Sequence, residues 1–170
     1  MRRDQMEHVL RAAAAITKER EFVVLGSQAL LASVPDPAPP LDQSMELDVY
    51  PLNNPAAADL IDGSIGELSP FGETFGYYAH GVGPETAILP RAWRDRARIV
   101  ENENTGGARG ICPGPADLAI AKLAAGRAKD LVFVRAMLEQ GIVHRRDLDA
   151  VLPELDHATS TLVAARLDRL

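Results

Sequence analysis

The sequence predicts an α/β (α+β) fold that ends in a helical part. Two segments with the pattern of strands, residues 22–25 and 44–50, lie among helical segments in the first part of the chain. From residue 115 onward the pattern is helical throughout. We therefore expect an α/β core over residues 1–112 and a helical part over residues 113–170 packed on that core.

The first quarter of the chain predicts a helix, a strand and a second helix. Apolar residues recur at helical spacing over residues 6–17, and Phe-Val-Val-Leu at residues 22–25 is a short apolar run of strand type. Gly26 ends that strand, and Ser27 is suited to cap a helix over residues 28–33. The proline-rich stretch that follows, residues 35–40, predicts a loop.

The middle of the chain predicts three further strands and one helix. Residues 44–50 alternate strictly between polar and apolar, which predicts a strand. A helix is expected over residues 56–65, and strands over 77–82 and 98–101. Turn-forming residues at 102–107 follow the last of them.

The last third predicts four helices. Pro115 is favourable in the first turn of a helix over residues 115–125, and Gly126 ends it. The helical pattern resumes over residues 129–140, and two more helices are expected over 145–152 and 159–170.

Composition excludes several classes of protein. The 170 residues are 46% hydrophobic, so the chain is not disordered as a whole. The net charge is -6, so the overall electrostatic field of the chain does not attract nucleic acid. The single cysteine, Cys112, cannot form an internal disulfide, and no Cys/His spacing resembles a zinc site. No apolar run approaches membrane-spanning length, and the N-terminus lacks the pattern of a signal peptide. We expect a cytoplasmic protein with no membrane partner.

Glu46 and Asp48 form the strongest local signal. Two residues apart on a strand, their carboxylates project from the same face. Unpaired, they repel each other, whereas a divalent cation such as Mg²⁺ would stabilise both. The alternative is a strand edge that presents two ordinary acids to solvent.

Gly26 and Ser27 lie between the predicted strand and the next helix. A glycine there permits a close backbone approach, and the amides of the helix start favour phosphate. The alternative is an ordinary turn with a helix cap. The stretch is neither a Walker loop nor a dinucleotide-binding fingerprint.

A third signal is the group Lys122, Arg127, Lys129 and Asp130. Lys122 and Lys129 share a face if their helix is continuous, and a cluster of cations suits polyphosphate. The alternative is a solvated helix surface.

Taken together, these signals resemble the nucleotidyltransferase superfamily typified by DNA polymerase beta. Downstream stretches are similar to small bacterial nucleotidyltransferases related to the AbiEii toxins, and the likeness covers roughly residues 20 to 145. These stretches are residues 81–87, 89–90, 93–96, 115–118 and 122–130. The resemblance implies a mixed sheet flanked by helices.

The resemblance also implies magnesium-dependent transfer of a nucleotidyl group from a nucleoside triphosphate, with two Mg²⁺ ions. Glu46 and Asp48 would hold the metals, and Gly26 with Ser27 would cradle the triphosphate. In the helical part, Lys122, Arg127 and Lys129 would neutralise the charge of the triphosphate. Asp130 would position a cation or a metal-bound water. Lys122 and Asp130 would also be catalytic residues, together with Glu46 and Asp48.

The acceptor implied is an RNA end, such as that of a tRNA, or a protein hydroxyl, and the protein would be a toxin–antitoxin component with a cognate antitoxin. The alternative is a catalytically degenerate module that binds a nucleotide or a protein. The lack of a third acid favours this alternative, whereas the intact stretch from Lys122 to Asp130 favours the enzyme. Glu46 replaces the more usual Asp, and the later strand that usually supplies a third carboxylate offers His80 instead. Glu85 and Glu101 are possible substitutes. A third alternative is an interaction protein that kept only the scaffold.

Overall fold

The computed structural model describes every residue from Met1 to Leu170. The chain forms two compact units. The sheet unit consists of Met1–Thr86 and Arg98–Cys112, and the helical unit consists of Ala87–Ala97 and Pro113–Leu170. The predicted α/β fold with a helical C-terminal part is confirmed. The segment Ala87–Ala97, expected in the core, belongs to the helical unit.

One mixed sheet of five strands runs through the sheet unit. The strands are β1 (Glu21–Leu25), β2 (Glu46–Pro51), β3 (Tyr78–Gly81), β4 (Arg98–Val100) and β5 (Arg109–Cys112). They lie in the order β3–β2–β1–β5–β4. β1 is antiparallel to β2 and parallel to β5, β2 is parallel to β3, and β4 is antiparallel to β5. The edge strands are therefore β3 and β4.

Seven α-helices accompany the sheet. They are α1 (Arg3–Thr17), α2 (Ala58–Ile65), α3 (Pro70–Phe75), α4 (Pro115–Ala125), α5 (Ala128–Glu139), α6 (Arg145–Val151) and α7 (His157–Leu167). Short 3₁₀ helices cover Ser27–Ala32, Pro55–Ala57, Pro84–Thr86, Trp93–Arg96, Glu103–Thr105 and Leu152–Glu154. No helix combines the length and the apolar composition that a membrane crossing requires.

Alternation along β2 decides which of its side chains enter the core of the sheet unit. Leu47 and Val49 are fully buried, whereas Glu46 and Asp48 keep contact with solvent. β1 is buried along nearly its whole length, as is usual for a central strand covered on both faces. Each fully buried side chain of the size of Leu or Val stabilises the fold by about 1.5–3 kcal/mol.

A buried carboxylate in α4 holds the segment Ala87–Ala97 to the helical unit. Asp117 is fully buried, and its Oδ1 accepts a hydrogen bond of 2.6 Å from Nη2 of Arg96. The same guanidinium donates from Nη1 to Oε1 of Glu154 at 2.7 Å. One arginine thus satisfies two acids, which explains how a buried aspartate is tolerated.

Three local features differ from the sequence prediction. The predicted helix at 28–33 is the 3₁₀ helix Ser27–Ala32, and Ser27 is its first residue, so the predicted Ser27 cap is wrong. Gly26 holds the cap position. The elements α3 and β5 had no sequence prediction. The other predicted helices and strands are confirmed, with small shifts at their ends.

Candidate functional site

Parallel pairing of β2 and β3 brings four polar side chains to one face at the edge of the sheet. Glu46 lies opposite Tyr78, and Asp48 lies opposite His80. Residues two apart on a strand point to the same face, and paired residues of neighbouring strands do so too. The four side chains therefore gather on the face opposite the buried Leu47.

The other face of β3 is covered by α2. An added Cβ on Gly81 would overlap the carbonyl oxygen of Ala58 in α2, so only glycine permits this close approach. Since neighbouring residues of a strand face opposite ways, His80 points away from this contact.

The two carboxylates and the imidazole are in direct contact. Nδ1 of His80 lies 3.1 Å from Oε1 of Glu46 and 3.1 Å from Oδ1 of Asp48. The hydroxyl of Tyr78 donates to Oε2 of Glu46 at 3.3 Å. The side chain of Asp48 is 23% exposed and that of His80 is 52% exposed, so the cluster opens to solvent mainly through the imidazole.

Gly26 lies against the Asp48 carboxylate. Its backbone has φ 66° and ψ -166°, a conformation that is almost restricted to glycine. An added Cβ would overlap Oδ2 of Asp48 and lie 3.1 Å from its Cγ. The Asp48 carboxylate therefore occupies the space that a side chain at residue 26 would need, at the point where the chain passes from β1 into the following 3₁₀ helix.

Burial and mutual contact shift the proton affinities of the three groups. Burial, reinforced by the hydrogen bond to Glu46 and by its charge, raises the pKa of Asp48 to about 6. Burial also raises the pKa of Glu46, but the hydrogen bond with Asp48 and the charge of His80 outweigh it, so this pKa falls below its ordinary value. Burial lowers the pKa of His80, but the two carboxylates outweigh it and raise that pKa overall. Two close carboxylates that cannot both ionise freely are expected to gain from a bound cation.

The donor set fits a divalent cation. One atom each from Glu46, Asp48 and His80 can be chosen so that all lie within 4.8 Å of one another. Atoms that bind one ion at 2.0–2.6 Å lie within about 5 Å of each other. The two carboxylates supply the oxygen ligands that a hard divalent cation prefers, and the imidazole supplies a nitrogen ligand.

A cavity of about 520 Å³ opens beside this cluster at the β3 edge. Its lining residues are Glu46, Asp62, Gly63, Glu67, Leu68, Ser69, Pro70, Tyr78 and His80. The lining holds three carboxylates and no lysine or arginine. Asp62 and Glu67 lie outside the Glu46, Asp48 and His80 cluster, so their negative charges would remain in the cavity if an ion were bound at that cluster.

In the helical unit, Asp130 joins Lys122 to Arg127. Its buried carboxylate lies 3.2 Å from Nζ of Lys122 and 2.6 Å from Nε of Arg127. Burial raises the pKa of Asp130, but the hydrogen bond from Arg127 and the charge of Lys122 outweigh it, so this pKa falls below its ordinary value. The ammonium of Lys122 also lies 5.1 Å from the ring centre of Phe133. Lys122 is therefore a nearly buried cation, whereas Arg127 is 60% exposed.

Gly126 separates α4 from α5. Its φ of 66° ends α4 in a left-handed cap, so the helix is not continuous between Lys122 and Lys129 and the condition for a shared face is not met. The guanidinium of Arg166 occupies the space over Gly126 and donates to the carbonyl oxygen of Leu123 at 2.6 Å. Lys129 is exposed in the first turn of α5.

A family model described as a nucleotidyltransferase of unknown function (DUF6036) matches residues 4–168. The chain belongs to this family. The match spans both compact units, so the assignment does not rest on the sheet alone. No curated protein and no solved structure matches the chain.

The predicted site residues of this nucleotidyltransferase fall into two groups. In the sheet unit, Gly26, Glu46 and Asp48 lie together, and Ser27 directly follows Gly26. The helical unit holds the second group, in which Asp130 pairs with Lys122 and Arg127 while Lys129 lies exposed.

His80 belongs to the cluster with Glu46 and Asp48 but was not among the predicted site residues. Glu85 and Glu101, the suggested substitutes for a third carboxylate, do not join the Glu46–Asp48 cluster. Glu101 instead lies 3.9 Å from Nε of Arg109. The available signal was that His80 occupies the strand on which the superfamily usually carries its third acid.

Proposed function

We propose that this protein transfers a nucleotidyl group from a nucleoside triphosphate to an acceptor hydroxyl in a magnesium-dependent reaction with two ions. The observation that carries the proposal is the convergence of Glu46, Asp48 and Gly26 in a member of a nucleotidyltransferase family. Glu46 and Asp48 would hold the metal, and Gly26 allows the Asp48 carboxylate to lie directly against the backbone of the turn that follows β1.

In this transfer the acceptor oxygen would form a bond to the α-phosphorus of the triphosphate, the bond from that phosphorus to the bridging oxygen would break, pyrophosphate would leave, and the proton of the hydroxyl would pass to solvent. Magnesium, when bound, would stabilise charge on the attacking and leaving oxygens. Gly26 and Ser27 would present their backbone to a phosphate beside that ion, at the turn from β1 into the following 3₁₀ helix. Tyr78 fixes one oxygen of Glu46 by a hydrogen bond of 3.3 Å and so orients the carboxylate.

We also propose that Lys122, Arg127 and Lys129 neutralise triphosphate charge, with Asp130 positioning the first two. The ion pairs of Asp130 give this group a defined arrangement in the helical unit, with Arg127 largely exposed to solvent. Cations held in place without their own reorganisation stabilise phosphate charge more effectively than mobile ones.

The cavity beside the cluster favours a protein hydroxyl over an RNA end as the acceptor. Asp62 and Glu67 line it together with Glu46, and no lysine or arginine does. A polyanionic RNA backbone would be repelled there, whereas a neutral or basic segment of a protein would not.

The likeness to AbiEii toxins supports the further proposal of a toxin–antitoxin component with a cognate antitoxin. Induced expression of the wild-type chain in a bacterial host should then arrest growth, and Asp48→Asn should relieve the arrest. An arrest that persists with Asp48→Asn would contradict a toxin acting through this site.

The transfer assay offers each of the four labelled triphosphates with total RNA and with cell protein, with and without Mg²⁺. Asp48→Asn keeps the shape of the side chain but removes a charge needed to hold the ion, so transfer should be lost. Asp36→Asn makes the same change on an exposed loop and should leave transfer unchanged. Transfer that ignores Asp48→Asn would refute the proposal. Nucleotide binding without transfer from any pairing would favour the degenerate binding module, with His80 in place of the third acid as its cause.

A further inference from the structure

We propose that His80 is the third metal ligand of this site and that its imidazole shifts the metal preference from Mg²⁺ toward Mn²⁺. The inference rests on the proposed metal-dependent transfer and extends it, because it names a ligand and a class of metal. It concerns an atom already in contact with both carboxylates, Nδ1 of His80.

The distances fit a shared coordination sphere. Nδ1 of His80 lies 3.1 Å from one oxygen of Glu46 and 3.1 Å from one oxygen of Asp48. Two ligands at right angles, each about 2.1–2.2 Å from the same ion, are about 3.0–3.1 Å apart. The nitrogen can therefore join both oxygens around one ion without a change in the pairing of β2 with β3.

The surroundings of the imidazole leave it accessible to an ion. Its side chain is 52% exposed and lines the cavity of the sheet unit, so an ion can reach the cluster from that side. Tyr78 holds the other oxygen of Glu46, which leaves Oε1 directed at His80. The three ligands come from two adjacent strands, which fixes their relative positions better than a loop would.

The donor chemistry decides the metal class. A third carboxylate would complete an all-oxygen set with three negative charges, which suits Mg²⁺. An imidazole nitrogen is neutral as a ligand and favours first-row transition metals over Mg²⁺. Among these metals Mn²⁺ is the one that shares with Mg²⁺ a preference for carboxylate and water ligands in an octahedral arrangement, so it is the transition metal that fits a set with two carboxylates and one imidazole. The Glu46, Asp48 and His80 set therefore predicts a higher ratio of Mn²⁺ to Mg²⁺ affinity than a three-carboxylate site has.

The test uses the full chain and Mn²⁺ alone. Electron paramagnetic resonance measures free Mn²⁺ during a titration, competition with Mg²⁺ gives the affinity ratio, and spin-echo modulation detects a nitrogen-14 nucleus bound to the ion. The wild-type chain should bind Mn²⁺ with nitrogen modulation. His80→Asp should bind Mn²⁺ without that modulation, and its affinity ratio should fall by about tenfold. His157→Gln, which removes an exposed histidine of α7, should change neither reading.

The outcomes separate this inference from the proposed function. Mn²⁺ binding that is lost in Asp48→Asn but shows no nitrogen modulation in the wild-type chain would overturn the role of His80 and leave the transfer proposal standing. If neither Mn²⁺ nor Mg²⁺ binds in a manner that depends on Asp48, both the role of His80 and the transfer proposal are overturned. If circular dichroism shows that His80→Asp does not fold, His80→Asn replaces it, and retained modulation in that variant would also overturn the inference.

Discussion

Replacement of Gly26 by alanine tests the contact on which the candidate site depends. Gly26 has φ 66° and ψ -166°, where a residue with a Cβ costs about 1–3 kcal/mol. The added Cβ would also overlap Oδ2 of Asp48 and lie 3.1 Å from its Cγ, and overpacking of this kind costs about 1–3 kcal/mol. If Asp48 keeps its position, the free energy of unfolding of the sheet unit should fall by about 2–6 kcal/mol.

If Asp48 instead moves aside, the overlap is relieved and the loss of stability is smaller, but metal binding is weakened. The displaced carboxylate no longer lies 3.1 Å from His80, so the three ligand atoms cannot surround one ion. We expect Mn²⁺ affinity to fall by roughly tenfold or more, as when metal ligands lose their supporting contacts. The variant is therefore expected to lose stability, metal affinity or both.

A second glycine with a positive φ provides a control in which the added Cβ causes no overlap. Gly76 has φ 72°, and an added Cβ there meets nothing within 4 Å. Gly76→Ala should therefore cost only about 1–2 kcal/mol and leave Mn²⁺ affinity unchanged. Urea unfolding followed by far-ultraviolet circular dichroism measures stability, because the single tryptophan, Trp93, lies in the helical unit. A Gly26→Ala chain that is as stable as Gly76→Ala and binds Mn²⁺ within twofold of wild type would refute the reasoning.

Three predictions concern other parts of the chain. Asp130→Asn should lower the free energy of unfolding of the helical unit by about 3 kcal/mol in urea followed by Trp93 fluorescence, because it leaves the nearly buried Lys122 without its carboxylate. The pKa of Asp130 lies below its ordinary value of 3.8, so its contribution to the free energy of unfolding is complete above about pH 5 and is lost as the pH falls through the folded-state pKa. If Asp130→Asn lost as much stability at acid pH as the wild-type chain does, this prediction would be contradicted. Arg166→Met should cost about 1–3 kcal/mol and speed amide exchange at the end of α4, since two carbonyl oxygens lose their donor; unchanged exchange would contradict that role. Burial raises the pKa of Cys112 to about 12, so a thiol reagent at pH 8 should label it only in the denatured chain, and rapid labelling of the folded chain would disprove this.

The Glu46–Asp48 pair was predictable because it depends on one strand alone. Alternation along a strand fixes two side chains two residues apart, whatever the rest of the fold does. His80 is different, because its place opposite Asp48 depends on the register between two strands that are separated by α2 and α3. A shift of one residue would send His80 to the other face, and nothing local to residues 77–82 fixes that register.

The two elements that sequence reasoning missed have different causes. α3 carried a readable signal, since Ser69 caps its start, Pro70 occupies the first turn and Gly76 ends it. β5 carried none, because it is four residues long and includes a glycine. An added Cβ on Gly110 would lie 2.8 Å from Cδ1 of Leu10, so a side chain at this position of β5 would require Leu10 of α1 to shift. Such a requirement is visible only once the helix lies on the sheet.

The stretch from Lys122 to Asp130 was the most specific part of the sequence resemblance to the nucleotidyltransferases. Packing explains much of the residue pattern in this stretch. Asp130 accepts from the backbone amide of Arg127 at 3.3 Å, which caps α5, and its ion pair with Lys122 joins α4 to α5. Gly126 provides the left-handed cap that lets the chain turn between the two helices. A tight junction between two helices therefore accounts for the lysine, glycine, arginine and aspartate at these spacings, whether or not the stretch binds a phosphate. The likeness of this stretch to other nucleotidyltransferases thus supports the fold more strongly than the chemistry, and the evidence for chemistry rests on Glu46, Asp48 and the atoms around them.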